Sequence, residues 1–209
     1  MTLTVRQLRP GDADAFEHAL AIYREAIQPS EQRPEEELRT LLGRRDYVVL
    51  VAERGGEIVG FAISYVPLAE DFWLFEYVAT APSERGRGTG AALVRHATKL
   101  AGAGRIGLVE ADADTGGDAI AAKRLSFYAR LGCRKLEGLD YQLPLRTHGV
   151  PPPMFLLALA PETSRSIPVE VVERWLRLIY IGVYRQREDD PRIGQMIGGL
   201  PTGVPLTPP

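Results

Sequence analysis

The part of the sequence best suited to chemistry is a glycine-rich turn. It consists of Arg85, Gly86, Arg87, Gly88, Thr89 and Gly90. Alternating glycines let the backbone approach a ligand closely and aim successive amides into one concavity. The helix predicted to follow adds unpaired N–H groups and the positive end of its dipole, and the two arginines add charge-assisted contacts. The pattern therefore predicts an anion site suited to a pyrophosphate.

Two common nucleotide motifs do not fit this turn. A P-loop ends in Gly-Lys-Ser or Gly-Lys-Thr, and the dinucleotide fingerprint has the spacing Gly-x-Gly-x-x-Gly; the turn has neither. A flexible surface loop is the remaining alternative, because a short glycine pattern is a weak signal by itself.

Strand and helix patterns alternate on both sides of the turn. Before it, the predicted elements are a strand at 3–8, helices at 13–27 and 34–43, and strands at 47–52, 58–66 and 72–79. After it come a helix at 88–103, a strand at 106–111, a helix at 118–131, and strands at 139–145 and 154–160. The predicted class is α/β, an α+β mixed sheet in the order β-α-α-β-β-β-α-β-α-β-β, in one domain over residues 1–160.

Residues 161–209 are expected to form a C-terminal extension. Apolar residues at three- or four-residue steps predict a helix at about 168–187, and the glycine- and proline-rich remainder predicts an irregular tail. The helix is interpreted as a lid, a packing element or a homodimer contact. The dimer contact is favoured, because Trp175, Leu178 and Tyr180 widen the apolar face beyond one stripe.

Residues 76–90 closely resemble motif A of the GNAT superfamily of acyl-CoA-dependent N-acetyltransferases. In that motif a strand and a proline precede Arg/Gln-x-x-Gly-x-Gly/Ala, which falls here on Arg85, Gly88 and Gly90. Residues 127–133 are similar to the Φ-Tyr-x-x-x-Gly-Phe of motif B, in the same sequence order. The resemblance covers about the first 160 residues and implies a GNAT-like fold.

The resemblance also implies acetyl-CoA as co-substrate and indicates where it binds. The turn at 85–90 would cradle the pyrophosphate. The backbone of Val78, Ala79 and Thr80 would pair with the pantetheine arm in the manner of an added strand. In the family, a bulge makes this strand splay from the strand that holds Val109, and the acyl thioester lies in the gap.

Two positions depart from the family pattern. Cys133 replaces the usual aromatic residue after Gly132, and Ala121 stands where many members have an asparagine that contacts the cofactor. Residues 124–128 instead resemble a branch of the family with an arginine at this place.

Acetyl transfer to an amine needs a neutral amine, a stabilised oxyanion and a proton for the departing thiolate. By its place in motif B, Tyr128 is the candidate acid; the alternative is a tyrosine packed under the sheet with its hydroxyl bonded to backbone. Glu76 is the candidate base, because strand alternation predicts that Leu74, Glu76 and Val78 share a face. A structural partner for an arginine and a charge that orients the substrate are the alternatives for Glu76.

Other acidic residues are candidates for an amine pocket. Glu110, Asp112 and Asp114 lie at or after the carboxyl end of a strand, where ligands often bind in α/β sheets. Ordinary solvated charges are the alternative for each of them.

The composition excludes several other classes of protein. The 209 residues are 45% hydrophobic and 25% charged, as in a soluble globular domain, and a net charge of -2 gives no basic field for nucleic acid or anionic lipid. No apolar run approaches the roughly 20 residues of a membrane span. A single cysteine, Cys133, allows no internal disulfide, and no His/Cys/Asp spacing suggests a metal. A cytoplasmic protein without a metal, a nucleic-acid partner or a membrane partner is expected.

The sequence thus predicts an N-acetyltransferase that moves an acetyl group directly from acetyl-CoA to a primary amine. Direct transfer is preferred because Cys133 follows a helix-capping glycine and is not positioned as an acyl carrier. The alternatives are a non-catalytic acyl-CoA-binding module whose C-terminal helix mediates assembly, and transfer of an acyl group longer than acetyl. No motif identifies the acceptor amine.

Overall fold

The computed structural model of this chain describes residues 1–113, 119–144 and 152–209. They fall into two compact units, Met1–Arg105 and Ile106–Pro209. Helices accompany antiparallel strands in both units, which confirms the predicted α/β class. The expected domain boundary at residue 160 lies inside the second unit.

The first unit alternates strands with helices in the expected order. The elements are β1 Leu3–Gln7, α1 Ala13–Ala26, α2 Glu35–Leu41, β2 Tyr47–Arg54, β3 Glu57–Tyr65, β4 Phe72–Thr80 and α3 Thr89–Ala101. The strands lie in the order β1-β2-β3-β4, and neighbours are antiparallel. Gly55 and Gly56 have positive φ in the tight turn between β2 and β3, as their pairing in the sequence predicts.

Helices α1 and α3 cover opposite faces of these strands. Phe61 of β3 contacts Tyr23 of α1, whereas the adjacent Gly60 faces Thr89 of α3. Successive strand residues point to opposite faces, so we call these the α1 face and the α3 face. Buried residues of both helices repeat every three or four positions, as in Phe16, Leu20 and Tyr23 of α1 and Leu93, Ala97 and Ala101 of α3.

A β-bulge interrupts β4, the strand that leads to the glycine-rich turn. Ile63 of β3 pairs with Tyr77, but the next residue, Ser64, pairs with Phe75, so Glu76 is the extra residue. The resemblance to the GNAT family implies a bulge in this strand, but the sequence alone does not show which residue is the extra one.

The bulge changes which residues of β4 share a face. Tyr77 contacts Tyr23 on the α1 face, and Val78, the next residue, points to the α3 face. Glu76 bonds to Arg33, whose backbone N–H donates to the Tyr23 hydroxyl, so Glu76 also lies on the α1 face. The prediction that Glu76 and Val78 share a face is therefore wrong, because the extra residue breaks the alternation.

The second unit contains the remaining strands and helices. They are β5 Ile106–Asp112, α4 Ala119–Arg130, β6 Arg134–Leu136, β7 Met154–Leu159, β8 Ser166–Pro168, α5 Val169–Gly182, α6 Pro191–Ile197 and β9 Gly203–Thr207. The strands lie in the order β5-β7-β6-β9-β8, and neighbouring strands are antiparallel. No helix in the described parts of the chain is long and apolar enough to cross a bilayer.

The expected strand at 139–145 does not form over its described residues, 139–144. Tyr141 makes one isolated bridge, to Met154, and β6 lies earlier in the chain, at Arg134–Leu136. Pro144 has no N–H to donate to a ladder, so the apolar alternation here reflects a buried loop rather than a strand.

The tail after Asp189 is ordered, which corrects the expectation of an irregular segment. Asp190 caps α6 by accepting a hydrogen bond from the Arg192 N–H at 3.0 Å, and Pro191 occupies the first turn. Val204 of β9 is fully buried. The prediction relied on the high glycine and proline content and overlooked Asp190 and Pro191, which are typical of the start of a helix.

Helix α5 is part of the core of the second unit. Its side chains at Val172, Trp175, Leu176, Ile179 and Tyr180 are fully buried within the single chain. Because Trp175 and Tyr180 are already covered, they no longer argue for a dimer contact, and their burial favours the packing role of this helix.

Candidate active site

The predicted anion turn follows β4 directly. A 3-10 turn at Pro82–Glu84 leads into it, and α3 begins at Thr89. Gly86 and Gly88 have φ of 78° and 80°, in the left-handed region that glycine adopts without steric penalty. No side chain among the described residues caps the start of α3, so its first N–H groups are available to a ligand. Both arginines of the turn are exposed.

A buried carboxylate lies directly before the turn, at Glu84, which is only 3% exposed. Arg54 Nε donates to both of its oxygens at 3.1 Å, the Thr89 hydroxyl donates at 2.8 Å, and Arg87 donates at 2.9 Å. Burial raises the pKa of the Glu84 carboxyl, but the hydrogen bonds from Thr89 and Arg54 outweigh it and hold that pKa below its usual value. Glu84 was not among the predicted site residues. Its position between Pro82 and the turn is the only feature of the sequence that points to it.

Gly60 of β3 lets the end of β4 and the start of α3 come close together. A Cβ atom at Gly60 would lie 3.0 Å from the Ala79 carbonyl oxygen and 3.3 Å from Cγ2 of both Thr80 and Thr89. An isolated glycine inside an apolar strand is the sequence feature that indicates such a close approach of the backbone. The three residues expected to meet pantetheine, Val78, Ala79 and Thr80, pair with β3 and are half-buried.

Glu76 lies in a buried ion pair. Arg33 Nε donates to one carboxylate oxygen, and the Tyr47 hydroxyl donates to the other at 3.1 Å. The side chains of Arg33 and Glu76 are each 2% exposed. Burial lowers the pKa of the Arg33 guanidinium, but the adjacent Glu76 carboxylate outweighs this and raises that pKa above its ordinary value. These contacts favour the interpretation that Glu76 is the structural partner of an arginine rather than a free base.

The same cluster fixes the connector between α1 and α2. The Arg33 N–H donates to the Tyr23 hydroxyl at 2.7 Å, and the Tyr77 hydroxyl donates to the Glu31 carbonyl at 2.7 Å. The connector is thereby bonded both to α1 and to the bulged part of β4. Arg33 and its tyrosine partners were not among the predicted site residues, because no local pattern joins positions 33 and 76.

Tyr128, the candidate acid, lies near the C-terminal end of α4 in the second unit. Its ring packs edge-on against Phe127, with centroids 5.1 Å apart. No hydrogen bond from its hydroxyl occurs among the described residues, so the expected backbone partner of the structural alternative is not found there. Burial raises the pKa of the phenol above its ordinary value, which keeps the proton on the oxygen at neutral pH.

Cys133 lacks the properties of an acyl carrier. It is buried, and burial raises the pKa of its thiol to about 12, so the nucleophilic thiolate is scarce at neutral pH. Gly132 has a φ of 88°, the left-handed helix end that the sequence predicts. Ala121 is buried and has no polar side-chain atom, and Arg124 forms an ion pair with Asp112.

Among the acidic candidates for an amine pocket, Glu110 has the most distinctive surroundings. The hydroxyls of Tyr141 and Tyr184 donate to its two carboxylate oxygens, the latter at 2.6 Å. Tyr184 is 74 positions away in the chain, so no sequence pattern could have joined the two residues. Asp114 lies outside the described residues.

Part of the chain matches a known protein family. Residues 45–134 match the family model described as Acetyltransferase (GNAT) domain, a range that spans β2 to β6 and includes the anion turn. Over this segment the chain is similar to a GNAT acetyltransferase domain.

Two relatives of this chain come from Nocardia farcinica. One, named mycothiol acetyltransferase, is 42% identical over 90 residues, which are 43% of this chain and 27% of that protein. The other, named L-2,4-diaminobutyric acid acetyltransferase, is 47% identical over 58 residues, which are 26% of this chain and 30% of that protein. The chain thus spans less than a third of the length of these curated relatives.

The fold of the chain also matches a solved structure. A protein of Bacteroides thetaiotaomicron assigned to the GNAT family superposes with a TM-score of 0.69 at 21% sequence identity. The match covers 87% of this chain and 97% of that chain.

The ion pair makes a prediction about Glu76. Glu76→Gln leaves the buried Arg33 guanidinium without its counter-charge, so we expect the free energy of unfolding to fall by about 3–5 kcal/mol in urea titrations. The matched control is Glu37→Gln, which removes a partly exposed carboxylate 3.4 Å from the same arginine and should cost less than about 1 kcal/mol. Unchanged stability in Glu76→Gln, together with loss of the acidic limb of the pH–rate profile, would instead establish the base role.

Proposed function

We propose that this chain transfers an acetyl group from acetyl-CoA directly to a primary amine. The observation that carries the proposal is the turn of two left-handed glycines running into an uncapped helix, inside the segment that matches the GNAT family model. Such a turn offers several backbone N–H groups to one anion, which suits the diphosphate of coenzyme A. The family uses this co-substrate for acetyl transfer.

The co-substrate contacts follow the chain from β4 into α3. Val78, Ala79 and Thr80 are proposed to offer backbone groups to the pantetheine arm. The backbone of the turn at 85–90 would hold the diphosphate, with Arg85 adding a charge-assisted contact from an exposed position. The positive dipole end of α3 supplements these contacts.

The proposed reaction is a single displacement through a tetrahedral intermediate. The neutral amine attacks the thioester carbonyl carbon, the C–N bond forms, and the C–S bond breaks as Tyr128 gives its proton to the departing thiolate. The nitrogen, positively charged after the attack, releases a proton that returns through water to the Tyr128 oxygen. Deprotonating a lysine-like ammonium at pH 7 costs roughly 4–5 kcal/mol, from a pKa of about 10.4. Since both oxygens of Glu76 are engaged by Arg33 and Tyr47, we propose that the amine loses its proton to water and that Glu76 positions the α1–α2 connector.

Direct transfer needs no acyl-enzyme intermediate. The raised pKa and the burial of Cys133 disfavour a thiolate that could accept the acetyl group. We specify the acceptor only as a primary amine, because the names of the two relatives contain different compounds.

Binding of the co-substrate tests the proposal directly. By calorimetry, we expect wild-type protein to bind acetyl-CoA, Arg85→Ala to weaken binding about tenfold, and Gly88→Glu to weaken it by more than about a hundredfold. The arginine variant loses one charge-assisted contact, and the glutamate variant adds a negative charge at a positive-φ position. If acetyl-CoA gave the wild-type protein neither binding heat nor protection against thermal unfolding, the proposed function would be refuted.

The acid role of Tyr128 separates an enzyme from a non-catalytic acyl-CoA-binding module. With an amine selected from a panel by thiol release, Tyr128→Phe should lower kcat about 100- to 1000-fold, while the Kd for acetyl-CoA stays within about twofold. Tyr65→Phe, which removes the hydroxyl of another buried tyrosine, is the matched control and should keep its kcat. Full activity in Tyr128→Phe would contradict the assigned role, and absence of thiol release with every amine would favour the binding module.

A further inference from the structure

The turn that the proposed function assigns to a diphosphate has a carboxylate at its base. Glu84 is ionised, because its hydrogen bonds hold its pKa below the usual value, and it precedes Arg85 directly. A negative charge this close to a bound diphosphate would be expected to repel it. Arg54 and Arg87 form ion pairs with this carboxylate, and Arg85 follows it in the chain, so the three arginines and one glutamate carry a net positive charge.

The contacts of Glu84 join the segments that must be fixed for the turn to hold its shape. Thr89 is the first residue of α3 and is fully buried, and its hydroxyl donates to Glu84. Arg54 is the last residue of β2 and bonds to both carboxylate oxygens. The two left-handed glycines lie between Glu84 and Thr89, so the carboxylate ties together both ends of the glycine segment.

Gly86 and Gly88 are the reason that the turn needs the contacts of Glu84. Glycine loses more backbone entropy on ordering than other residues, so a segment with two glycines in three positions is costly to hold in one conformation. A Cβ atom added at Gly86 or Gly88 would meet nothing within 4 Å, so their surroundings do not fix the backbone by packing. The Glu84 contacts supply the order, while the amides of the turn remain unobstructed.

We propose that Glu84 is a positioning residue that holds the diphosphate turn in its binding conformation, acting through Thr89 and Arg54. This inference rests on the proposed function, since it assigns the turn to the diphosphate. Arg87 lies on the solvent side of the cluster, with a side chain 56% exposed, and bonds to Glu84 as well. Glu84 thus keeps one turn arginine beside the anion position.

The proposal and simple electrostatics predict opposite effects of removing the charge. In Glu84→Gln the side chain keeps its size but loses its charge and one acceptor oxygen, so Arg54 and Thr89 no longer share one carboxylate. We expect the Kd for acetyl-CoA to rise about tenfold by calorimetry. If Glu84 acts only as a nearby negative charge, its removal should lower that Kd.

A substrate without the diphosphate distinguishes positioning of the turn from general stability. S-acetylpantetheine has the thioester and the pantetheine arm but no diphosphate, so kcat/KM for this compound should change less than twofold in Glu84→Gln, against about a tenfold loss for acetyl-CoA. A merely structural role would lower both values together. Thr89→Val, which removes the hydroxyl but keeps the shape, should weaken acetyl-CoA binding about threefold in the same selective way and serves if Glu84→Gln does not fold. Glu36→Gln, at an exposed acid of α2, is the charge-matched control.

Each outcome has a defined meaning. Failure of wild-type protein to bind acetyl-CoA refutes the proposed function itself. Wild-type binding combined with equal or tighter binding by Glu84→Gln and Thr89→Val overturns the inference and leaves the proposed function standing. Equal losses for acetyl-CoA and S-acetylpantetheine also overturn it.

Discussion

Backbone N–H groups bind an anion only if several of them point at one place, and this constraint governs the first unit of the chain. Gly86 and Gly88 meet it with left-handed backbone angles, and the uncapped start of α3 continues the row of donors. The buried Glu84 carboxylate ties the helix start and the end of β2 to this segment. The neighbouring backbone is also closely packed, because a Cβ atom at Gly60 would lie 3.0 Å from the Ala79 carbonyl oxygen.

The bulge in β4 separates two tasks that one strand must perform. Before the bulge, Glu76 lies on the α1 face and joins a buried ion pair that fixes the connector between α1 and α2. After it, Val78 turns to the α3 face, and the backbone runs on to the turn. Both carboxylate oxygens of Glu76 are bonded, and removing this carboxylate would leave the buried Arg33 guanidinium uncompensated, so the contacts favour a structural role for Glu76 over proton transfer.

Periodicity and local motifs made much of this structure predictable. The order of elements from β1 to α4, the glycine turn and the left-handed Gly132 all depend on residues close in sequence. The wrong or missing parts depend on contacts between residues far apart in the sequence. The position of the bulge, at Glu76, depends on pairing with β3, and Glu84 bonds to Arg54, 30 positions away. The prediction of an irregular tail was wrong for a different reason. It was based on the high glycine and proline content and did not take account of Asp190, which caps α6.

An NMR titration of the full, ¹⁵N-labelled chain with coenzyme A tests the central claim most directly. The account predicts that the amide resonances of Gly86, Gly88 and Gly90 move farther than those of the exposed glycines at 55 and 56, and that they saturate at the same concentration as the binding heat. Saturable binding that leaves these three amides unmoved would contradict it, because the diphosphate would then lie elsewhere.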